Sequence, residues 1–156
     1  GNAGVCKVMA IGKPPLKGAA EGQDYYTLAP YYSDKSVIFT PCNNDKVVMR
    51  PIVSKDEANA LIRDIEKIGY LGITDEKKRE ECYKEIIKTC DPEKFVSIIK
   101  TIYVRKQQRL SEGKKVTASD EKYFQMAEDK LYGELAIALD IDRTKVREYI
   151  FGCVES

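Results

Sequence analysis

Between Lys94 and Ser119 the sequence sets Lys94, Lys100, Arg105, Lys106, Arg109, Lys114 and Lys115 against one carboxylate, Glu112. Cations gathered in this way can pair with phosphate oxygens, which line every nucleic-acid backbone whatever its bases, so the chemistry on offer is sequence-independent phosphate contact. A second cluster, Lys77-Lys78-Arg79, repeats the chemistry in a shorter stretch. Both clusters also suit a solvated helix face, where cations near the C-terminus are favoured by the helix dipole. The chain as a whole has a formal net charge of only +1, so bulk charge points to no polyanionic partner and only the local clustering is informative.

Other chemistries have less to work with. The 156 residues include no histidine, which removes the commonest general base and the commonest metal ligand. Five cysteines (Cys6, Cys42, Cys82, Cys90, Cys153) are odd in number and lack Cys-x-x-Cys spacing, so they are read as reduced thiols rather than a disulfide framework or zinc site. The pairs Asp140/Asp142 and Glu80/Glu81 could hold a metal only with a third convergent ligand, and they read better as helix caps and solvated faces. Tyr25, Tyr26, Tyr31 and Tyr32 can be read as an aromatic cage for a cation or as half-buried sheet packing. There is no glycine-rich phosphate loop and no nucleophile elbow. A non-enzymatic protein without cofactor or metal is expected, with a metal-dependent carboxylate hydrolase as the remote enzymatic alternative. No apolar run of spanning length and no charged-then-apolar leader occur in the text, which is read as a soluble, cytoplasmic protein.

The elements that must position these residues change character near Ser54. Val5–Ile11 alternates like a strand, a loop with Pro14 and Pro15 follows, Tyr25–Pro30 is a second strand, and Tyr31–Lys35 turns towards the β-branched and aromatic run Val37-Ile38-Phe39-Thr40. Pro41 withholds a ladder donor, marking an edge strand or its end. Cys42-Asn43-Asn44-Asp45 turns the chain, and Val47-Val48-Met49 resumes an extended apolar run, predicting a hairpin or tight corner. Short strands punctuated in this way predict a small, strongly bent Tudor/SH3-like module over residues 1–53.

Residues 54–156 read as helical. Ser54-Lys55-Asp56-Glu57 fits a capping box, so a helix should begin at Lys55, bury Ala58, Leu61, Ile62 and Ile65, and reach its C-cap at Gly69. Thr74 is the expected N-cap of a second helix running to about Lys88. Asp91-Pro92 opens a third, with the stripe Phe95, Ile98, Ile99, Ile102 and Tyr103, ended by Gly113. A fourth starts at Thr117 and carries Phe124, Ala127, Leu131, Leu135 and Ala138; Asp142 caps a last short one with Val146, Ile150 and Val154 inward. The fold class is therefore α+β, a β module followed by an all-α helical bundle packed through Phe95, Ile98, Ile102, Phe124, Leu131 and Leu135.

The text also resembles a known family. An extended Tyr25-Tyr26-x-Leu28 strand, the Val37-Ile38-Phe39-x-Pro41 strand followed by Asn43, and Met49-Arg50-Pro51-Ile52-x-Ser54-Lys55 stand in the order found in the CarD/CdnL bacterial transcription regulators. Arg109-Leu110-Ser111-x-Gly113 and the helix Ala127-Glu128-x-x-Leu131-Tyr132-x-Glu134-Leu135-Ala136-x-Ala138-Leu139 extend the resemblance over nearly the whole chain. It implies a regulator, nucleoid-associated through RNA polymerase, whose first module pairs a strand with the polymerase β subunit and whose helical domain contacts promoter DNA at the upstream fork. Ser36, Val37, Ile38, Phe39 and Thr40 are then the candidate polymerase-binding strand, with Val37 and Phe39 packing the module's own core as the alternative. Basic contacts known in relatives fall near Pro14 and Phe39 here, and Lys13 or Lys17 are the candidates to compensate. Candidate DNA contacts are Lys77, Lys78, Arg79, Arg105, Lys106, Arg109, Lys114 and Lys115. Many relatives place a wedge tryptophan just before the basic pair matching Lys78 and Arg79, whereas this chain has no tryptophan and Glu76 aligns there. Tyr70, Leu71, Ile73 or Tyr83 would have to substitute. Glu128 and Glu134 are expected to make structural contacts. Family members carry a further short strand before Val5, which this text lacks. The alternative function is a polymerase-tethered protein adaptor that never touches DNA.

Overall fold

The computed structural model describes residues 3–15, 18, 22–33 and 36–155. Among them a three-stranded antiparallel sheet precedes five α-helices, an α+β arrangement. The chain divides into two compact units, Gly1–Arg50 and Pro51–Ser156. Leu16 and Lys17 of the predicted loop, and Asp34 and Lys35 of the predicted turn, lie outside the described residues.

In the first unit, β1 (Cys6–Gly12), β2 (Tyr25–Pro30) and β3 (Ile38–Pro41) lie in that order, with β2 in the centre. Val8 and Ile38 pair with Leu28, so these three share a face of the sheet, while Phe39 pairs with Thr27 on the other. A bulge between Val8 and Ala10 shifts the register of β1. Leu28 is the only buried side chain of this unit among the described residues, and Val8, Met9 and Ile11 are exposed. The predicted strand at Val47-Val48-Met49 does not form. Asn44 accepts from the Lys46 amide at 3.0 Å and donates to Thr40 Oγ1 at 3.3 Å, which makes the expected turn. Beyond it Val47, Val48 and Met49 stay exposed, so pairing back onto β3 would bring no apolar burial to reward it.

The first helix of the second unit begins where the capping box predicts. The Glu57 amide donates to Ser54 Oγ at 3.1 Å and the Ser54 amide to Glu57 Oε1 at 3.2 Å, opening α1 (Lys55–Arg63). That helix stops at Asp64, five residues before the expected Gly69, and tightens into a 3₁₀ turn over Ile65–Lys67. A tertiary cation meets the carbonyls left beyond the helix. Lys100 Nζ donates to the carbonyls of Ile65, Glu66 and Ile68 at 3.1, 3.3 and 2.6 Å, satisfying acceptors that have no helical partner there. A second 3₁₀ turn, Glu76–Lys78, leads into α2 (Arg79–Lys88). Its cap is Asp75, which accepts from the Lys77 amide at 3.0 Å, rather than the expected Thr74.

α3 (Pro92–Ser111) starts on Asp91 and Pro92 and ends at Gly113, whose φ of +74° suits a residue without a Cβ. The Gly113 amide donates to the Leu110 carbonyl at 3.0 Å and the Lys114 amide to Arg109 at 2.8 Å, a Schellman turn that fixes the chain beyond the helix. α4 (Ala118–Leu139) follows the Thr117 cap, and α5 (Val146–Val154) follows a 3₁₀ turn capped by Asp142. The core joins Ala58 and Ile62 of α1 and Tyr83 and Ile87 of α2 with Phe95, Ile98 and Ile102 of α3, Leu131 and Leu135 of α4, and Val146 of α5.

Two expectations shift. Tyr123 fills the position expected for Phe124, which is only partly buried, because the α4 stripe runs Tyr123, Ala127, Leu131, Leu135 at four-residue steps. Tyr103 and Val154, expected inward, are exposed. Glu134 is buried on α4 and accepts from the Val53 amide at 2.9 Å, fastening the segment that enters α1.

Two substitutions test this construction by urea unfolding. Ser54→Ala should cost about 1 kcal/mol by leaving an exposed helix amide without its cap. Ile98→Ala, at a position with no solvent exposure, should cost roughly 2–5 kcal/mol through lost burial and the cavity left behind.

Candidate nucleic-acid interface

The two basic clusters of the sequence meet. A groove of about 480 Å³ in the helical unit is lined by Arg79 from the start of α2, by Arg105 and Arg109 from α3, and by Lys114 from the turn beyond it. Glu76 and Glu112 lie among them, with Thr101 and Gln108 as neutral polar groups and Tyr70, Leu71, Ile73 and Val104 as the apolar part of the wall.

The wall is held in place by α3. The Leu71 amide donates to Thr101 Oγ1 at 2.8 Å, and Lys100, besides gripping the carbonyls before it, sits 4.9 Å from the centre of the Tyr70 ring. Beneath the groove lies a carboxylate, Asp120, whose side chain is 1 % exposed. Tyr83 donates its hydroxyl to Asp120 Oδ1 at 2.9 Å, and Arg105 Nε donates to Oδ2 at 2.7 Å. Arg105 Nη1 then donates to Glu76 Oε1 at 2.8 Å. Arg79 grips the same Glu76 with two hydrogen bonds, Nε to Oε2 at 3.0 Å and Nη2 to Oε1 at 2.8 Å, and its Nη1 reaches the Tyr83 hydroxyl at 3.4 Å. Asp120, Tyr83, Arg105, Glu76 and Arg79 thus form one closed polar network joining α2, α3 and α4.

The electrostatics follow from the contacts. The hydrogen bonds from Arg79 hold the Glu76 carboxyl down to about 2, with Arg105 reinforcing them against a smaller opposing effect of desolvation. Burial pushes the Tyr83 phenol up to about 12, so it remains a donor to Asp120 over the whole physiological range. Elsewhere, burial raises the Glu128 carboxyl, while Arg147, 3.6 Å away, pulls the other way.

The predicted DNA contacts therefore divide. Arg79 and Arg105 are 12 % and 20 % exposed and are committed to carboxylates of the chain itself. Arg109 donates from Nε to the Lys115 carbonyl at 2.9 Å and so braces the turn that carries Lys114 and Lys115. Lys77, Lys78, Lys106, Lys114 and Lys115 are exposed, Lys114 lying 3.1 Å from Glu112. Among the proposed wedge substitutes, Tyr83 is fully buried in the network, Leu71 and Ile73 are half-buried in the wall, and Tyr70 is exposed at the groove.

In the first unit, Ile38, Phe39 and Thr40 lie in β3, which has one neighbour in the sheet, while Ser36 and the exposed Val37 precede it. Lys13 is exposed after β1, and Lys17 falls outside the described residues. Tyr25 and Tyr26, adjacent in β2, project to opposite faces, so the four tyrosines do not surround one site. Tyr31 and Tyr32 contact each other with ring centroids 6.5 Å apart. No group of three or more cysteine, aspartate or glutamate side chains could hold a metal ion among the described residues.

Asp120, Glu76 and Lys100 carry the site without having been singled out for these contacts in the sequence. Thr117-x-x-Asp120 is a helix-start pattern, and the Asp120 amide does bond Thr117 Oγ1 at 3.1 Å, but that signal is silent on where the carboxylate goes. A scan of the chain against known protein families and a search of the curated proteins return no match.

The Glu76 bonds have a pH consequence. Because its carboxyl is held below the ordinary value of 4.5, its contribution to stability is present above that value and is lost as pH falls through about 2. In a carbon-detected NMR titration Glu76 should stay ionised at pH 3 while the solvated glutamates protonate. A midpoint for Glu76 near 4.5 would contradict the geometry.

Proposed function

We propose that this chain is a non-enzymatic regulator of bacterial transcription of the CarD/CdnL kind. The sheet unit is read as the Tudor/SH3-like module that binds the RNA polymerase β subunit through the outer edge of β3. The helical unit is read as a bundle that meets promoter DNA at the upstream fork without base specificity. Such a protein is cytoplasmic and nucleoid-associated through the polymerase. The observation that carries the reading is the meeting, on one groove, of Arg79 from one basic cluster with Arg105, Arg109 and Lys114 from the other, distant in sequence. The resemblance of the text to that family supplies the identity of the partners.

The contact is assigned to the exposed lysines of the two clusters, Lys77, Lys78, Lys106, Lys114 and Lys115, since Arg79 and Arg105 hold the scaffold together. Lysine suits this use, being a hydrated point charge that pairs with phosphate without fixed geometry. Tyr70 is the exposed aromatic that could lie against an opened base pair. A regulator of this kind acts through the difference in its affinity for closed and open promoter states. The adaptor reading is favoured by a different observation: Tyr103, Val104 and Leu110 leave apolar surface exposed on α3, as a protein-docking face would.

The test is dissociation of a fluorescent upstream-fork promoter fragment from polymerase holoenzyme over a salt series, with wild type and with Lys77→Glu/Lys78→Glu. Wild type should slow dissociation, and the double reversal should abolish the effect and flatten the salt dependence by roughly two phosphate contacts. Unchanged promoter lifetime, with the protein still bound to polymerase, would remove the DNA contact and leave the adaptor.

A further inference from the structure

We propose that the groove binds a small phosphate monoester carrying an apolar body, and that Glu76 occupies the anion seat such a ligand would take over. This goes beyond the transcriptional reading and does not depend on it.

Three observations carry the inference. First, the two guanidiniums that converge on Glu76 each have a second anchor independent of it. Arg105 is held by Asp120 at 2.7 Å and Arg79 by the Tyr83 hydroxyl at 3.4 Å. When the Glu76 carboxylate leaves, both stay aimed at the same point, and a binding site whose donors are already fixed loses little by ordering them.

Second, the occupant carboxylate is open to solvent and bonded to nothing but the two arginines among the described residues. Glu76 stands on a short 3₁₀ turn, its side chain is 61 % exposed, and all its side-chain hydrogen bonds among the described residues run to these two arginines. A surface carboxylate gripped by paired arginines behaves as an internal stand-in for an external oxyanion.

Third, the rest of the groove selects the ligand. A competing carboxylate would match Glu76 in charge and gain nothing, whereas a monoester phosphate brings a second negative charge and a third oxygen for Lys114, which Glu112 holds at 3.1 Å, and for Arg109, which donates from Nε to the Lys115 carbonyl. A phosphodiester, with one charge, lacks that advantage, which separates this ligand from a nucleic-acid backbone. Leu71, Ile73 and Val104 give an apolar surface for the remainder of the molecule, and about 480 Å³ falls within the range of small-molecule clefts.

The experiment is an amide NMR titration of the full chain with phenyl phosphate, and with dimethyl phosphate as the diester control. Phenyl phosphate should shift Leu71, Ile73 and Val104 saturably. Glu76→Gln should tighten its binding by about tenfold, since a fixed competing anion has been removed from a partly desolvated site. Lys114→Glu, a surface change that leaves the buried network alone, should weaken binding by a similar factor. Dimethyl phosphate should bind far more weakly than phenyl phosphate. The proposal is overturned by the absence of saturable shifts in both wild type and Glu76→Gln, by equal affinity in those two proteins, by indifference to Lys114→Glu, or by equal binding of the diester.

Discussion

A carboxylate removed from water must be met by donors, and in the helical unit the buried Asp120 imposes that requirement on three helices at once. Its two oxygens take the Tyr83 hydroxyl from α2 and the Arg105 Nε from α3 while its own backbone opens α4. Neither donor can be withdrawn without leaving the other groups short of a partner. These bonds tie α2 to α3 and α4 beside the groove, above the apolar core of Phe95, Ile98, Ile102 and Leu131. Glu76 completes the arrangement on the solvent side, bonded to both Arg79 and Arg105.

The cationic character of the surface is accordingly less than a count along the chain suggests. Of the cations between Lys94 and Ser119, Lys100 closes the carbonyls after α1, Arg105 neutralises Asp120 and Arg109 braces the turn after α3. Apart from Lys100, the cations that hold geometry are arginines, whose planar fork offers several donors at once, and the lysines among the candidate DNA contacts, Lys77, Lys78, Lys106, Lys114 and Lys115, are exposed. Buried scaffold and exposed cationic surface are thus built from the same clusters but from different residues within them.

What could be read from the sequence follows from the range of the interaction concerned. The Ser54 capping box, the Asp91-Pro92 start of α3, the Gly113 turn and the Thr117 cap are decided by residues within one helical turn, and each stands where the text places it. The carbonyls beyond the early end of α1 are met by Lys100, more than thirty residues on, and no local pattern announces that contact. The failed strand at Val47–Met49 has suitable residue types but no apolar burial to reward pairing. Tyr123 and Phe124 are adjacent and similar, and only the rotation of α4 against α2, where Tyr83 meets Tyr123 with centroids 5.5 Å apart, decides between them. The basic clusters were legible as composition; their division into structural and exposed members was not, because the buried acceptor Asp120 looks in the sequence like any first-turn aspartate.

The most direct test of this account is a double-mutant cycle on Arg105 and Asp120, using Arg105→Met, Asp120→Asn and the pair, with urea unfolding as the readout. If the buried ion pair holds the groove together, each single change is strongly destabilising and the double change costs less than their sum, with a coupling of roughly 1–3 kcal/mol. Additive costs, with coupling within experimental scatter of zero, would contradict it and leave apolar packing alone to set the position of α3 against α4.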